Sequence, residues 1–297
     1  MKYYSGFVSI IGRPNVGKST LLNTIIGEKA AIVSDKPQTT RNQIRAILNG
    51  EGYQIIFIDT PGIHRPRHKL GDYMISSARS TLREVEVILF LVDIGSPPGK
   101  GDMFIIEWLK AVSTPVILVA NKKDLVDDET AQHNLELYEK LFPFEESFLI
   151  SALLNERANM VINAVKKFLP EGPQFYPSHM VTDRPEYFMV SELIREKALE
   201  YTREEIPHSL AVEIDELKKR DGKDLIDIRA IIYVERKSQK GIVIGKEGSM
   251  LKSIGSAARP AIETFLGNRV FLDLWVKVLP DWRNRDNTLR NFGYRDE

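Results

Sequence analysis

The segment GRPNVGKS, residues 12 to 19, follows an apolar run that predicts a β-strand and precedes a run that predicts an α-helix. It matches the pattern G-x-x-x-x-G-K-[ST], in which glycines let backbone N–H groups converge on a phosphate and the helix dipole favours negative charge. Lys18 is expected to reach the β- and γ-phosphates of a nucleoside triphosphate, and Ser19 to ligate Mg²⁺. The residues predicted to surround the phosphates are Gly12, Arg13, Pro14, Asn15, Val16, Gly17, Lys18, Ser19 and Thr20.

The N-terminal part of the chain alternates between short apolar runs and helical patterns up to about residue 170. The runs FVSIIG, YQIIFID, VEVILFLVD, TPVILVANK and SFLISA are continuous and rich in β-branched residues, as buried parallel strands are. This alternation predicts an α/β fold, a phosphate-loop domain with a mostly parallel sheet flanked by helices on both faces. One exception is Asn49-Gly50-Glu51-Gly52, which predicts a hairpin turn between two antiparallel strands.

Four prolines between Pro170 and Pro185 lie in a segment without apolar periodicity, which is typical of a linker. Beyond this segment the order of patterns becomes helix, hairpin, helices and strand, which predicts a smaller α+β module. We therefore expect a nucleotide-binding domain over residues 1–170, a linker over 171–186 and a second domain over 187–297.

Composition limits the function classes. The chain has 41 Lys and Arg against 41 Asp and Glu, and a net charge of zero argues against a protein that coats nucleic acid through its overall charge. The absence of cysteine excludes disulfides and cysteine-ligated metals. No apolar run reaches the roughly 20 residues needed to span a bilayer, and the N-terminus lacks a signal-peptide cleavage region. We expect a soluble cytoplasmic protein.

The tetrapeptide Asp59-Thr60-Pro61-Gly62 ends the third predicted strand. At that place after a phosphate loop, Asp59 is expected to hold Mg²⁺ through water, and Gly62 to offer its backbone N–H to the γ-phosphate. In the polar stretch Gln38-Thr39-Thr40-Arg41, we choose Thr40 as the threonine that ligates Mg²⁺ only while the γ-phosphate is present. The two threonines are equally compatible with the start of a strand. The predicted metal ligands are Ser19, Thr40 and Asp59.

The tetrapeptide Asn121-Lys122-Lys123-Asp124 ends another predicted strand. The Asp124 carboxylate can accept hydrogen bonds from guanine N1–H and from its exocyclic amine, and such a pocket rejects the wrong base by roughly 10⁴-fold or more. Lys122 is expected to lay its aliphatic stem over the base, and a backbone N–H of Ser151-Ala152 to meet guanine O6. In this order the motifs indicate a guanine nucleotide, so we expect a GTPase that binds GTP and GDP.

The position after Gly62 does not fit fast catalysis. Small signalling GTPases carry a glutamine there to orient the attacking water, whereas this chain has Ile63, which cannot polarise water. We expect slow hydrolysis unless another group positions the water. We assign no catalytic base and expect Lys18 to stabilise the developing charge. A further hypothesis is that Asn15 helps a monovalent cation, K⁺, to supply charge near the β–γ bridge.

Two glycines, Gly245 and Gly248, interrupt a helical pattern in GIVIGKEGSMLKSIG, although a glycine inside a helix costs about 0.5–1 kcal/mol relative to alanine. Their place between two helices, after two strands and before one, matches the GXXG loop of a KH domain of the bacterial (type II) order, which clamps four nucleotides of single-stranded nucleic acid. A solvated helix–turn–helix is the alternative interpretation. The residues predicted to bind RNA are Arg236, Lys237, Lys240, Ile244, Gly245, Lys246, Glu247, Gly248 and Lys252.

The motifs GRPNVGKST, PQTTR, DTPGIH and NKKDL, followed by GIVIGKEG, resemble those of the Era family of bacterial ribosome-associated GTPases over essentially the full length. The pairing of one GTPase domain with one C-terminal KH domain is the specific part of this resemblance. It implies binding of the 3′ end of 16S rRNA, a role in assembly of the 30S subunit, and GTP-dependent control of the KH domain. It also implies weak peripheral association with the inner membrane, and we expect a monomer.

Two alternatives belong to other classes of function. In the first, GTP hydrolysis drives the assembly of a protein partner, and the KH module is a protein-interaction domain. In the second, the chain is an RNA-binding scaffold that keeps a nearly inactive nucleotide site for structural reasons.

Overall fold

The protein is described by a computed structural model that covers residues 2–36, 38–63, 66, 68–222 and 224–294. Pro37 and His64, which belong to two of the motifs quoted above, lie outside these residues. The chain forms two compact units. Unit 1 comprises Met1–Val33, Thr40–Arg67 and Gly71–Asp183, and unit 2 comprises Ser34–Thr39, His68–Leu70 and Arg184–Glu297.

Unit 1 contains a six-stranded sheet with the strand order β2-β3-β1-β4-β5-β6. Strands β2 and β3 pair in the antiparallel sense through a turn between Gly50 and Tyr53, and the other neighbours are parallel. The strands are β1 (Tyr4–Gly12), β2 (Ile44–Gly50), β3 (Tyr53–Asp59), β4 (Val87–Asp93), β5 (Val116–Asn121) and β6 (Glu146–Leu149). The helices are α1 (Lys18–Ile26), α2 (Lys69–Ser80), α3 (Lys100–Leu109), α4 (Asp128–Glu139) and α5 (Ala158–Lys166).

The core of unit 1 forms because the central strands are apolar on both faces. Every residue of β4 from Val87 to Val92 is buried, as expected for a strand covered by helices on two sides. Phe90 of β4 lies with its ring centroid 6.5 Å from that of Tyr138 in α4. The α3 residues Ile105, Ile106 and Leu109 complete this cluster. The predicted α/β fold of this part is confirmed.

Unit 2 has a three-stranded sheet with the order β7-β8-β9, in which β7 and β8 are antiparallel and β8 and β9 are parallel. Its strands are β7 (Ala211–Lys219), β8 (Leu225–Val234) and β9 (Arg269–Val278). Its helices are α6 (Glu186–Tyr201), α7 (Ile206–Ser209), α8 (Lys237–Ile244), α9 (Ser249–Leu266) and α10 (Asp286–Asn291). Helices α6 and α9 pack on each other, and α9 buries Ile254, Ala258 and Ile262. The predicted order of helix, hairpin, helices and strand is confirmed.

The proline-rich segment expected to be a linker is packed against unit 1 over most of its length. The side-chain oxygen of Gln54 in β3 accepts hydrogen bonds from the backbone N–H groups of Phe175 and Tyr176, at 2.9 and 3.0 Å. Farther along, Thr182 forms a bridge with Ala46 of the edge strand β2. Because these contacts fix its backbone, the segment up to Asp183 belongs to unit 1.

No helix among the described residues has the length and apolar composition required to cross a membrane.

Candidate nucleotide site and candidate nucleic-acid groove

The phosphate loop connects β1 to α1 and leads directly into the first turn of the helix. Gly17 precedes that turn with φ at +99°, and a Cβ atom at this position would lie 2.3 Å from Asn121 Nδ2. A side chain is therefore excluded by its backbone conformation and by the close approach of β5. The N-terminus of α1, with its unpaired backbone N–H groups, thus faces the loop in which a phosphate is expected.

Lys18 points its side chain back into the loop. Its Nζ donates hydrogen bonds to the backbone carbonyl oxygens of Arg13, at 2.9 Å, and Gly12, at 3.3 Å. Burial lowers the pKa of Lys18 to about 8, and the charge of Asp59 opposes this shift. Phosphate oxygens are stronger partners for an ammonium group than carbonyl oxygens are, so a bound phosphate would stabilise the charged form of Lys18.

The three predicted metal ligands lie together. Asp59 Oδ2 accepts hydrogen bonds from Ser19 Oγ at 2.7 Å and from Thr40 Oγ1 at 3.1 Å, and the two hydroxyls are 2.9 Å apart. Burial raises the pKa of Asp59. Its other oxygen, Oδ1, is buried and makes no hydrogen bond within the part of the chain that the structure describes. An unpaired carboxylate oxygen beside two hydroxyls is a ligand set that fits a hard divalent cation.

Thr60, which follows Asp59, and Ile63, which follows Gly62, have structural contacts. Thr60 Oγ1 donates to the carbonyl oxygen of Ile10, at 2.7 Å, and ties the end of β3 to β1. Ile63 donates its backbone N–H to Gly12, and its side chain is 2% exposed within the core of unit 1. An apolar side chain buried in this way supplies no hydrogen bond to a water molecule. The expectation that Ile63 cannot orient water agrees with this placement.

Asn121 joins the phosphate loop to the segment that follows β6. Its Nδ2 donates to the Val16 carbonyl oxygen at 2.8 Å, and its Oδ1 accepts the backbone N–H of Ala152 at 2.9 Å. Of the two backbone N–H groups predicted as candidates to meet guanine O6, that of Ala152 is engaged by Asn121, and that of Ser151 donates to the carbonyl oxygen of Glu156 at 3.3 Å. Ser151 is fully buried, and its hydroxyl accepts the backbone N–H of Leu154 at 3.2 Å.

Lys122 and Asp124 lie just beyond β5, at the same edge of the sheet as the phosphate loop. Lys122 has a left-handed backbone, with φ at +67°, and its Nζ lies 2.7 Å from Asp93 Oδ2. Asp124 is exposed, so its carboxylate is accessible to a ligand. Asp93 was missed by the sequence analysis. Its position as the last residue of β4, opposite Asn121 in the register of the sheet, was the available signal.

The GXXG loop lies between α8 and α9. Gly245 ends α8 with φ at +73°, and a Cβ atom there would lie 2.7 Å from the backbone nitrogen of Met250. Glycine is required at this position because the chain must reverse closely against the start of α9. Lys246 and Glu247 are exposed at the tip of the loop. The N-terminus of α9 therefore opens to the surface beside the loop.

A cleft of about 390 Å³ runs from this loop between α9 and β9. From α9 and its N-cap, the cleft is lined by Gly248, Leu251, Lys252, Gly255, Ser256 and Arg259, and from β9 by Val270, Phe271, Leu272 and Leu274. Phe271 is 56% exposed. Backbone amides at one end, an apolar floor and cationic walls are the components of a groove for single-stranded nucleic acid.

The predicted RNA-binding residues do not all line this cleft. Gly248 and Lys252 do, and Gly245, Lys246 and Glu247 form the loop at its end. Arg236, at the N-cap of α8, and Lys237, Lys240 and Ile244, within α8, are outside the cleft lining. The contribution of β9 to the cleft was not predicted from the sequence, because the packing of this strand beside α9 depends on the tertiary fold.

The cationic side chains around the cleft have no carboxylate partner among the described residues. Lys252 and Arg259 are exposed on α9, and Lys246 is exposed in the loop. Their charges are therefore available to phosphate groups.

Comparison with known families agrees with both sites. Residues 7–122 match the family described as 50S ribosome-binding GTPase, and residues 205–283 match the KH domain family.

Comparison with curated proteins extends the agreement to the whole chain. GTPase Era of Alkaliphilus oremlandii is 56% identical over 294 residues, which cover 99% of this chain and 100% of the relative. GTPase Era of Staphylococcus epidermidis is 52% identical over 296 residues, which cover 100% of this chain and 99% of the relative.

Two solved structures are similar along the whole chain. One is Era in complex with MgGDPNP and nucleotides 1506–1542 of 16S ribosomal RNA, with a TM-score of 0.96 and 41% identity, covering 99% of this chain and 100% of that chain. The other is an Aquifex aeolicus Era variant bound to GDP.AlF4⁻, with a TM-score of 0.95 and 41% identity, covering 100% of both chains.

Replacement of Asn121 by alanine tests whether its side chain links the phosphate loop to the segment after β6 (its joining role). The Val16 carbonyl and the Ala152 N–H would each lose a buried partner, at a cost of about 1–3 kcal/mol apiece. We expect at least a roughly tenfold weaker affinity for a fluorescent GDP analogue, measured by equilibrium titration. Asn134→Ala is the matched control, because Asn134 also donates from a buried side chain to a backbone carbonyl, that of Ile94. Equal affinity losses in the two variants would contradict the joining role.

Proposed function

This chain belongs to the Era family of GTPases, and from that premise we propose that it is a nucleotide-controlled switch that binds single-stranded RNA near the 3′ end of 16S rRNA and acts in assembly of the 30S subunit. The chain is a GTPase with a C-terminal KH domain. The proposal is carried by the presence in one chain of the Ser19–Thr40–Asp59 cluster and of the cleft that begins at the GXXG loop. In this assignment, residues 1–170 are the GTP-binding domain and residues 187–297 are the KH domain.

In the proposed nucleotide site, the two ends of GTP meet different loops at the same edge of the sheet. Backbone N–H groups of the phosphate loop and the N-terminus of α1 hold the phosphates. Lys18 exchanges its two carbonyl partners for β- and γ-phosphate oxygens. Asp124 accepts the N1–H and the amine of guanine, and Lys122, held by Asp93, covers the ring. Asn121 keeps these two ends at a fixed distance.

The cluster around Asp59 is assigned to Mg²⁺, which neutralises charge on the β- and γ-phosphates when it is bound. Ser19 and Thr40 would ligate it directly, and Asp59 would hold it through water. Without it, the two hydroxyls donate to Asp59 itself. The unpaired, buried Oδ1 of Asp59 and the two hydroxyls beside this carboxylate support the assignment.

No residue of the described chain is assigned as a catalytic base. Ile63 is buried among apolar side chains, so intrinsic hydrolysis is slow in this mechanism. Lys18 stabilises charge that develops on the phosphates. The association of K⁺ with Asn15 stays a prediction.

The loop that carries Thr40 offers a route for nucleotide control. The preceding segment Ser34–Thr39 belongs to unit 2, where the buried Arg195 pairs with Glu192 and donates to the carbonyl oxygen of Thr39. One peptide bond separates that carbonyl from the residue assigned to Mg²⁺. We infer that ordering of Thr40 by the γ-phosphate changes the conformation of this segment in unit 2. Peripheral association with the inner membrane and a monomeric state stay predictions.

Asp124→Asn tests the base specificity. An amide cannot accept both hydrogen bonds from guanine, so we expect affinity for GDP to fall by about 10²-fold or more. Xanthine carries a carbonyl where guanine has its amine, so xanthosine diphosphate should become the better ligand. Competition of the two nucleotides against a fluorescent analogue measures this change. The control is Asp128→Asn, which neutralises an exposed carboxylate nearby. Unchanged GDP affinity in Asp124→Asn would show that the base pocket is elsewhere.

The RNA site and its control by nucleotide are tested by anisotropy of a fluorescent oligonucleotide that copies the 3′ end of 16S rRNA. The protein is saturated with a non-hydrolysable GTP analogue in one titration and with GDP in the other. We expect tighter binding in the GTP state. Phe271→Ala should weaken binding about 5- to 100-fold through lost stacking. Lys252→Ala should weaken RNA binding and lower the slope of log affinity against log salt concentration by about 1, as expected for the loss of one phosphate contact.

The control for Lys252 is Lys218→Ala, an exposed lysine on β7 outside the cleft. Equal RNA affinity in the GTP and GDP states would agree with the groove as the RNA site but would contradict control by the nucleotide. Absence of RNA binding in both states would favour the alternative in which the KH domain contacts a protein.

A further inference from the structure

Asp102 is a fully buried carboxylate that has no part in the nucleotide chemistry described above. It is the third residue of α3, in the segment Gly99-Lys100-Gly101-Asp102. A charged group taken out of water is costly unless it is paired or hydrogen-bonded. The partners of Asp102 therefore indicate what this buried charge does.

The two oxygens of Asp102 have different partners. Oδ2 accepts the backbone N–H of Gly99 at 2.9 Å, which caps the start of α3. Oδ1 lies 2.9 Å from Nε of Arg13, the second residue of the phosphate loop. The guanidinium of Arg13, expected from the sequence to contribute to phosphate binding, is thus engaged by α3. Only the first of these contacts is needed to form the helix.

The segment before Asp102 is shaped to accept Arg13. A Cβ atom at Gly101 would lie 2.7 Å from Arg13 Cδ, so any larger residue would displace the arginine side chain. On the far side, the buried Tyr138 of α4 lies close enough that the charge of Asp102 adds to burial in raising the pKa of the phenol. Arg13 is held in a closely fitting site formed by the start of α3.

The backbone of Arg13 connects this site to the nucleotide. Its carbonyl oxygen accepts the ammonium group of Lys18 at 2.9 Å. The conformation of the loop at Arg13 therefore sets where Lys18 and the neighbouring backbone N–H groups lie. A catalytic group displaced by as little as 1 Å loses much of its effect.

We propose that Asp102 is a positioning residue of the GTPase: by fixing the Arg13 guanidinium against α3, it holds the phosphate loop in the conformation that binds GTP and GDP. This inference rests on the proposed nucleotide site. It adds a role for a helix that contributes no residue to that site. Asp102 itself does not touch the nucleotide.

Asp102→Asn is the most informative substitution. It removes the charge that holds Arg13 but retains an oxygen that can accept the Gly99 N–H. We expect GDP to dissociate about tenfold faster, as measured by stopped-flow release of a fluorescent analogue from the full-length protein. Gly101→Ala should have the same effect without changing any charge, since its Cβ displaces Arg13. Alanine favours the helix more than glycine does, so this variant should lose no thermal stability through propensity.

Arg13→Met completes a double-mutant cycle with Asp102→Asn. We expect the double variant to release GDP no faster than the faster single variant, because both substitutions remove one interaction. Asp127→Asn is the control, since Asp127 caps α4 through Thr130 and lies outside the loop. It should release GDP at the wild-type rate. Additive effects of the two substitutions, or wild-type release in Asp102→Asn and Gly101→Ala, would overturn the proposal.

Lys18→Ala separates this inference from the nucleotide site on which it rests. Loss of GDP binding in Lys18→Ala together with wild-type release in Asp102→Asn would overturn only the positioning role. Unchanged binding in Lys18→Ala would overturn the nucleotide site and the positioning role together.

Discussion

The parallel pairing of β1 with β3 and β4, and of β4 with β5, determines where the nucleotide-binding side chains lie. In this register Ile10 is opposite Asp59, and Asp93 is opposite Asn121. The loops that leave the carboxyl ends of these strands must therefore emerge at one edge of the sheet, where open α/β sheets bind ligands. Motifs separated by more than a hundred residues become neighbours through this single constraint. Asn121 then fixes the spacing between them with two hydrogen bonds.

A second feature of this edge is that it buries charge before a ligand arrives. Lys18 is 6% exposed and Asp59 is fully buried, and burial opposes the charged form of each. Their present partners are backbone carbonyls and two hydroxyls, which compensate a charge only in part. A nucleotide with its phosphates and a cation supplies the opposite charges. Binding of the nucleotide and the cation is favoured because Lys18 and Asp59 are desolvated within the fold and gain partners of opposite charge.

The local parts of both sites could be predicted from the sequence, whereas the parts that depend on long-range packing could not. The phosphate loop, the Asp59 motif and the GXXG loop are each short, so the residue types within each motif indicate its local backbone conformation. Asp93 and Asp102 have partners that are distant in sequence. The position of Asp93 at the end of a strand was a signal in the sequence, but no local pattern distinguishes Asp102 from a surface acid. Phe271 was missed for the same reason, since β9 reaches the GXXG loop only through the fold of unit 2.

The segment after Pro170 shows the same limit. Its prolines and lack of apolar periodicity predicted a linker, but its order comes from backbone groups that bond to the buried amide of Gln54. Such bonds leave no periodicity in side chains. Residues 171–183 are consequently part of unit 1 in the structure and have fixed contacts there.

The burial of Ile63 bears on the lifetime of the GTP-bound state in the proposed switch. A glutamine at this position would shorten the GTP-bound state by orienting water, whereas the buried apolar side chain of Ile63 supplies no hydrogen bond to that water. In the proposed function, slow hydrolysis would give a long-lived GTP state, which suits a protein that must find and hold an RNA segment before it is released. The GTP and GDP states can differ in RNA affinity only if the γ-phosphate changes the free-energy difference between two conformations of the Thr40 loop. The hydrogen bond from Arg195 to Thr39 belongs to the arrangement seen here. In the proposed switch, its strength would depend on how much of this contact remains when Thr40 binds Mg²⁺.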